Sequence, residues 1–196
     1  MKDSSVSDYL RDLAPGSVFL ISDVPTGTSR DSVKTQLSVA CSKGMVQRVM
    51  RGIYYKPRYS ETLGRWSTFG LDEVAKTIAR ANVWNIVPGG NMCMNLMGLS
   101  TQVPARCVYL SDGPYRKYDL GRRTIEFRHT SPRDLTRDEY SSVLVQAIKA
   151  KGNRNIDDST LYELSIRIPN DRKQTILDNT LSVSPWIRRV IEKVCA

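Results

Sequence analysis

Val6, Tyr9, Leu10 and Leu13 recur at i, i+3, i+4 and i+7, the spacing of one buried helix stripe. Ser5 or Ser7 can cap this helix, and Ala14-Pro15-Gly16 ends it. Ser17-Val18-Phe19-Leu20-Ile21 is a short apolar run, a strand or the lead-in to a brief second helix. After the turn Pro25-Thr26-Gly27-Thr28 the helical period returns from about Ser29 to Lys43. Val33, Leu37 and Ala40 share one face there, and Gly44 stops the helix. Met45-Val46-Gln47-Arg48-Val49-Met50 and Ile53-Tyr54-Tyr55-Lys56 are strand-like runs joined at Arg51-Gly52.

Residues 58–70 are polar and read as a linker. Beyond it, Leu71–Ala81 predicts a helix with Val74, Ile78 and Ala81 in register. Asn85-Ile86-Val87-Pro88 reads as a strand entering a turn at Gly89-Gly90, with Asn91 capping a helix to about Met97. Strands are expected over 105–110, closed by the turn Asp112-Gly113-Pro114, and over 123–129. From Thr136 three apolar stripes follow at helical spacing: Tyr140 to Ile148, Leu161 to Ile168, and Trp186 to Val194 behind Pro185. The pattern predicts an α+β protein: an N-terminal winged helix-turn-helix over 1–58, then a mixed α/β domain over 66–196 with a helical C-terminal tail.

Charge sharpens the first half. The 196 residues carry 29 basic and 20 acidic side chains, net +9, which points to an anionic partner. Residues 1–25 are net −2, whereas 26–60 hold Arg30, Lys34, Lys43, Arg48, Arg51, Lys56 and Arg58 against Asp31 alone, net +6. The polar side of the 29–43 helix carries short hydrogen-bonding side chains that can approach base edges in a major groove. The expected DNA contacts are therefore Thr28, Ser29, Arg30, Ser32, Lys34, Thr35 and Ser38 on that helix, with Arg48, Arg51 and Lys56 on phosphates from the hairpin. Arg116, Lys117, Arg122 and Arg123 form a possible second basic patch. A winged helix whose basic face contacts an acidic protein is the blander alternative.

Little else points to chemistry. His129 is the sole histidine, so a histidine-rich metal cluster is excluded, and a structural or solvent-facing role is expected for it. Gly89-Gly90 lacks the remainder of any phosphate-loop pattern and reads as a tight strand-to-helix turn. Asp112, Asp119 and Glu126 could hold a divalent metal as in nucleases of restriction-enzyme-like fold, although Arg128 stands where such a site usually has lysine. A metal-dependent nuclease with a DNA-targeting head is thus the alternative to a non-enzymatic regulator without metal or cofactor. Cys41, Cys93, Cys107 and Cys195 have no paired spacing, and no apolar run reaches the roughly 18–20 residues of a membrane span. With no apolar signal segment at the N-terminus, the expected setting is a reducing cytoplasm.

Three runs, Val87-Pro88-Gly89-Gly90, Asn95-Leu96-Met97-Gly98-Leu99-Ser100-Thr101-Gln102-Val103-Pro104 and Val108-Tyr109-Leu110-Ser111-Asp112-Gly113-Pro114, resemble the central signature of AbiEi-like antitoxins. These are transcriptional regulators of type IV, abortive-infection toxin–antitoxin operons. The stretch Gly44–Tyr55 is similar to the wing of the same family, and the resemblance covers about residues 5–135. A Ser-Gly or Thr-Gly is frequent in the family where this chain has Gly89-Gly90, so no hydroxyl stands there. The resemblance implies a winged-helix head that binds inverted repeats in its own promoter, and a C-terminal domain that counteracts a nucleotidyltransferase-like toxin. Members differ in whether antitoxin and toxin touch.

Overall fold

The computed structural model describes residues 5–25, 27, 29–102, 106–130, 136 and 138–196. Thr28 and the Val103-Pro104 pair lie outside the described residues. The fold is α+β, and the chain divides into two compact units, Met1–Val83 and Trp84–Ala196.

In the first unit, α1 (Val6–Asp12) starts at Ser5, whose hydroxyl accepts the Asp8 N–H while Asp8 accepts the Ser5 N–H in return, a reciprocal cap. The next apolar run realises both readings of it, as β1 (Val18–Leu20) passes directly into a 3-10 turn over Ile21–Asp23. Then come α2 (Arg30–Ser42), β2 (Gln47–Met50) and β3 (Ile53–Tyr55). The antiparallel sheet has the order β1-β3-β2, with Phe19 opposite Tyr54 and Met50 opposite Ile53. Phe19 stacks on Tyr54 at 5.7 Å and meets Tyr9 edge-on at 5.6 Å, joining the sheet to α1 and to Val33, Leu37 and Ala40 of α2 in one core.

The stretch expected to be a linker is structured. β4 (Tyr59–Ser60) and β5 (Arg65–Trp66) form a second hairpin, with Tyr59 opposite Trp66 and their rings 5.3 Å apart. Its base is tied by the Ser67 hydroxyl, which donates to the Arg58 carbonyl and accepts from the Arg58 N–H, and which also meets the Tyr55 hydroxyl at 2.7 Å. A two-residue strand pairing is too brief to read from local pattern. The helix α3 (Leu71–Asn82) that follows packs along β1 and belongs to the first unit, so the division falls after residue 83 rather than across 58–66. Arg80 on α3 grips Asp23 with both ends of its guanidinium, at 2.7 and 2.6 Å.

The second unit holds a four-stranded mixed sheet, order β6-β7-β9-β8: β6 (Ile86–Pro88), β7 (Cys107–Ser111), β8 (Arg116–Leu120) and β9 (Arg123–His129). β7 and β9 are parallel, because β8 goes out to the sheet edge and the chain returns to pair between them. Tyr109, Ile125 and Phe127 are buried on one face, where Trp84, Tyr109 and Tyr118 surround the Phe127 ring. Towards the other face lie α4 (Gly90–Leu96) and α5 (Glu139–Lys151), followed by α6 (Asp158–Ser165), α7 (Lys173–Asn179) and α8 (Pro185–Cys195). The helical region is not a tail. Leu144, Ile148, Leu164, Ile176 and Ile191 are fully buried with Val87 and Cys93 in the core of this unit.

Candidate nucleic-acid interface

Ser29 begins α2 by accepting the Ser32 N–H on its hydroxyl. With Val33, Leu37 and Ala40 in the core, the helix leaves Arg30, Asp31, Lys34, Thr35 and Ser38 exposed. Some of these already make local hydrogen bonds. Lys34 donates to Asp31 at 2.6 Å, Thr35 donates to the Asp31 carbonyl at 3.0 Å, and the Ser32 hydroxyl accepts from Gln36. The Lys34 hydrogen bond also holds the Asp31 carboxyl below the usual carboxylate range. Arg30, beside the first turn, has no ion pair among the described residues, and it adds positive charge where the helix dipole is already positive.

The β2–β3 hairpin turns at Arg51-Gly52, where Gly52 has φ 80° and its carbonyl accepts the Ile21 N–H. Arg48 and Arg51 are both exposed and, among the described residues, unpaired. Lys56 departs from expectation. Its ammonium donates to the carbonyls of Leu10, Arg11 and Leu13 at 2.6, 3.3 and 2.6 Å, closing the C-terminal end of α1. A cation placed on the free carbonyls at a helix C-terminus satisfies acceptors the helix cannot, and this contact occupies the Lys56 ammonium.

Sequence reasoning missed the β4–β5 hairpin. It adds Arg58 and Arg65, exposed and unpaired among the described residues, beside Tyr59 and Trp66, which are 50% and 63% exposed. Tyr59 and Trp66 line an apolar groove of about 650 Å³ with Leu10, Met45 and Pro57. The tyrosine and tryptophan flanking Gly64 were the available signal.

The expected second patch is spread over two strands and a turn. Arg116 and Lys117 stand on the edge strand β8, Arg122 in the turn and Arg123 at the start of β9, while Lys117 pairs with Asp119 at 3.2 Å. The three acidic residues considered for metal binding are dispersed. Asp119 lies opposite Thr124, and Asp112 lies beyond the Ser111–His129 pair. About 16 Å of strand separates those two stations, at about 3.3 Å per residue. Asp112 accepts from the backbone and side chain of Asn85, Asp119 from Thr124 and Lys117, and Glu126 from Arg128. Among the described residues no three histidine, cysteine or acidic side chains converge as a metal would need. His129 holds the Gly113 carbonyl through Nδ1 at 2.9 Å, a structural role.

Residues 5–176 match DUF6088, a family of unknown function. The chain is a DUF6088 protein. No curated protein matches it. The match spans the first unit and most of the second, and leaves α8 outside it.

In this DUF6088 chain the described residues of the three distinctive runs serve as architecture. A Cβ on Gly89 would sit 2.9 Å from the Val108 carbonyl oxygen, and one on Gly90 would sit 2.5 Å from the Ala150 Cβ. Neither glycine has a positive φ, so close packing of α4 against β7 and α5 requires them, rather than turn geometry. Gly89 precedes the helix in the place expected for Asn91. At the other end Gly98, with φ 65°, sends its N–H to the Asn95 carbonyl while Leu99 donates to Met94, a left-handed helix stop. Gly113 lets the Trp84 ring pass within 2.4 Å of where a Cβ would be. No helix among the described residues is long and apolar enough to cross a membrane.

Proposed function

We propose that this DUF6088 chain is a DNA-binding transcriptional autorepressor whose first unit is a winged helix. In this reading α2 is the recognition helix and the β2–β3 hairpin is the wing. The observation that carries it is the set of exposed guanidiniums of Arg30, Arg48 and Arg51, unpaired among the described residues and arranged on a polar helix and the hairpin directly after it. The element order, helix, strand, 3-10 turn, helix and two strands in a β1-β3-β2 sheet, supports the same reading. The 3-10 turn over Ile21–Asp23 stands where the winged helix has its second helix.

Arg30, Thr35 and Ser38 face bases from α2, and Arg48 and Arg51 grip phosphates. The antitoxin role, opposing a nucleotidyltransferase-like toxin from the same operon, rests on the resemblance of the three central runs. A cytoplasmic setting follows from that role, and a two-headed arrangement fits inverted repeats.

A gel shift with the DNA upstream of the gene, against a scrambled fragment of equal length, tests the reading. Retarded upstream fragment at a protein concentration that leaves the scrambled one free supports it. Absence of any retardation at low salt overturns it in favour of a protein-binding adaptor. No observation favours the nuclease alternative, since its three carboxylates each serve a different local contact.

A further inference from the structure

A second feature lies in the C-terminal unit, on the face of the sheet shared by β7, β8 and β9. Val108 of β7, Glu126 of β9 and Lys117 of β8 stand side by side there, and Leu110 stands beside Arg128. A cavity of about 220 Å³ opens between this face and the start of α4, lined by Arg106, Arg128, Val108, Leu110, Asn91 and Met92. The Glu126 side chain is only 9% exposed, and its Oε1 accepts from Arg128 Nε at 2.8 Å. Engagement through Nε alone leaves the two terminal nitrogens of the Arg128 fork without a hydrogen-bond partner among the described residues. Arg106 likewise has no ion pair among the described residues. Glu126 is held below the usual carboxylate range, first by the Arg128 hydrogen bond and in lesser part by Tyr115 and the Arg106 charge. It is therefore ionised at neutral pH and fixes the Arg128 plane.

We propose that the Arg106–Arg128 cleft binds a phosphodiester group of a nucleic acid strand, with Glu126 as the residue that positions Arg128. The cavity is smaller than the roughly 300–1,000 Å³ of a site for a whole small molecule, so it takes a group rather than a complete ligand. A guanidinium fork matches the paired oxygens of phosphate. Arg106 and Arg128 against Glu126 leave one net positive charge, and Lys117 is already matched by Asp119. One positive charge complements the single negative charge of a diester better than the double charge of a terminal phosphate. The contact would hold the second unit on the strand whose sequence is read elsewhere. It rests on the reading of this chain as a nucleic-acid binder, and not on which part of the first unit reads sequence.

The test uses the full chain and a fluorescent duplex of arbitrary sequence, with binding followed by anisotropy from low to moderate salt. Arg106→Gln and the double change Arg106→Gln/Arg128→Gln should each weaken binding, and the double change should lower the slope of log K against log salt by about 0.9. The same loss should appear when Arg48 and Arg51 are already alanine, which separates this cleft from the head. Arg106→Gln breaks no hydrogen bond among the described residues, so it carries the test alone if the double variant does not fold. Glu126→Gln, which keeps an acceptor for Arg128 Nε and removes a charge, should tighten binding. Inorganic phosphate at millimolar concentration should compete weakly and alike for DNA of any sequence. Unchanged affinity and slope for Arg106→Gln in both backgrounds overturns the proposal, as does tighter binding of inorganic phosphate than of DNA.

Discussion

Lys56 donates its ammonium to the carbonyl oxygen of Leu10 at 2.6 Å, and the same nitrogen reaches Leu13 at 2.6 Å. The last turn of α1 is thereby joined to the residue just after β3, 46 positions away in sequence. Lys56→Met keeps the aliphatic stem and removes the donor. It should cost about 1–2 kcal/mol of stability, since two half-buried carbonyls and one exposed one lose their charged partner. Urea unfolding reads this cost. The salt slope of DNA binding should stay as in the parent protein, and a lower slope would return Lys56 to the phosphate contacts.

Arg51→Ala and Arg48→Ala should behave in the opposite way. Both side chains are exposed and hold nothing in place among the described residues, so the unfolding midpoint should not move. Each change should lower the salt slope by about 0.9 and weaken binding to all sequences alike. Thr35→Ala on α2 should instead change which sequences are preferred, as read by competition between variant operators.

Asp23 and Arg80 give the first unit a defined acid dependence. The Arg80 hydrogen bond, and less strongly the Leu20 N–H, hold the Asp23 carboxyl below the usual carboxylate range against the opposing effect of partial burial. A depressed folded pKa means that the stabilisation is complete above the unfolded value of about 4 and is lost as pH falls through the lower folded value. Asp23→Asn should therefore cost on the order of 1 kcal/mol at pH 7, a figure kept small because Arg80 is half exposed. The difference from the parent should shrink steadily below about pH 4. Denaturant titrations at pH 7, 4 and 3 follow it, and a difference that grows in acid would contradict the pairing.

Gly113→Ala places a methyl group 2.4 Å from the Trp84 ring, which itself packs on Phe127 at 5.5 Å. Overpacking of this kind should cost about 1–3 kcal/mol and be visible as altered tryptophan fluorescence and a lower melting temperature. Gly121→Ala is a control of a different type. Space is open there, and only the φ of 69° opposes the side chain, so its cost should come without any change in the Trp84 signal.

The features legible in advance were the local ones. A first cap at Ser5 or Ser7, the Val33, Leu37 and Ala40 stripe and the Arg51-Gly52 turn depend on neighbours within a few residues; the structure sets the cap at Ser5 and forms the other two where their spacing placed them. The short pairing of Tyr59 with Trp66 and the edge strand β8 were not legible although their partners stand close in sequence, because a two-residue pairing is too brief to leave a pattern and the mostly polar residues of β8 carry a weak one.

The sequence by itself determined that seven cations and one carboxylate fall within residues 26–60. Only the tertiary structure decided which of those charges a ligand can reach. Lys34 is matched one helical turn away and Lys56 is spent on α1, whereas Arg30, Arg48 and Arg51 stay open. In the second unit Glu126 likewise turns from a candidate metal ligand into the support of a guanidinium, because it accepts from Arg128. The physical reason is common to both: charge is a property of composition, but its availability depends on the hydrogen-bond partners that folding sets beside it, close in sequence for Lys34 and Glu126 and distant for Lys56.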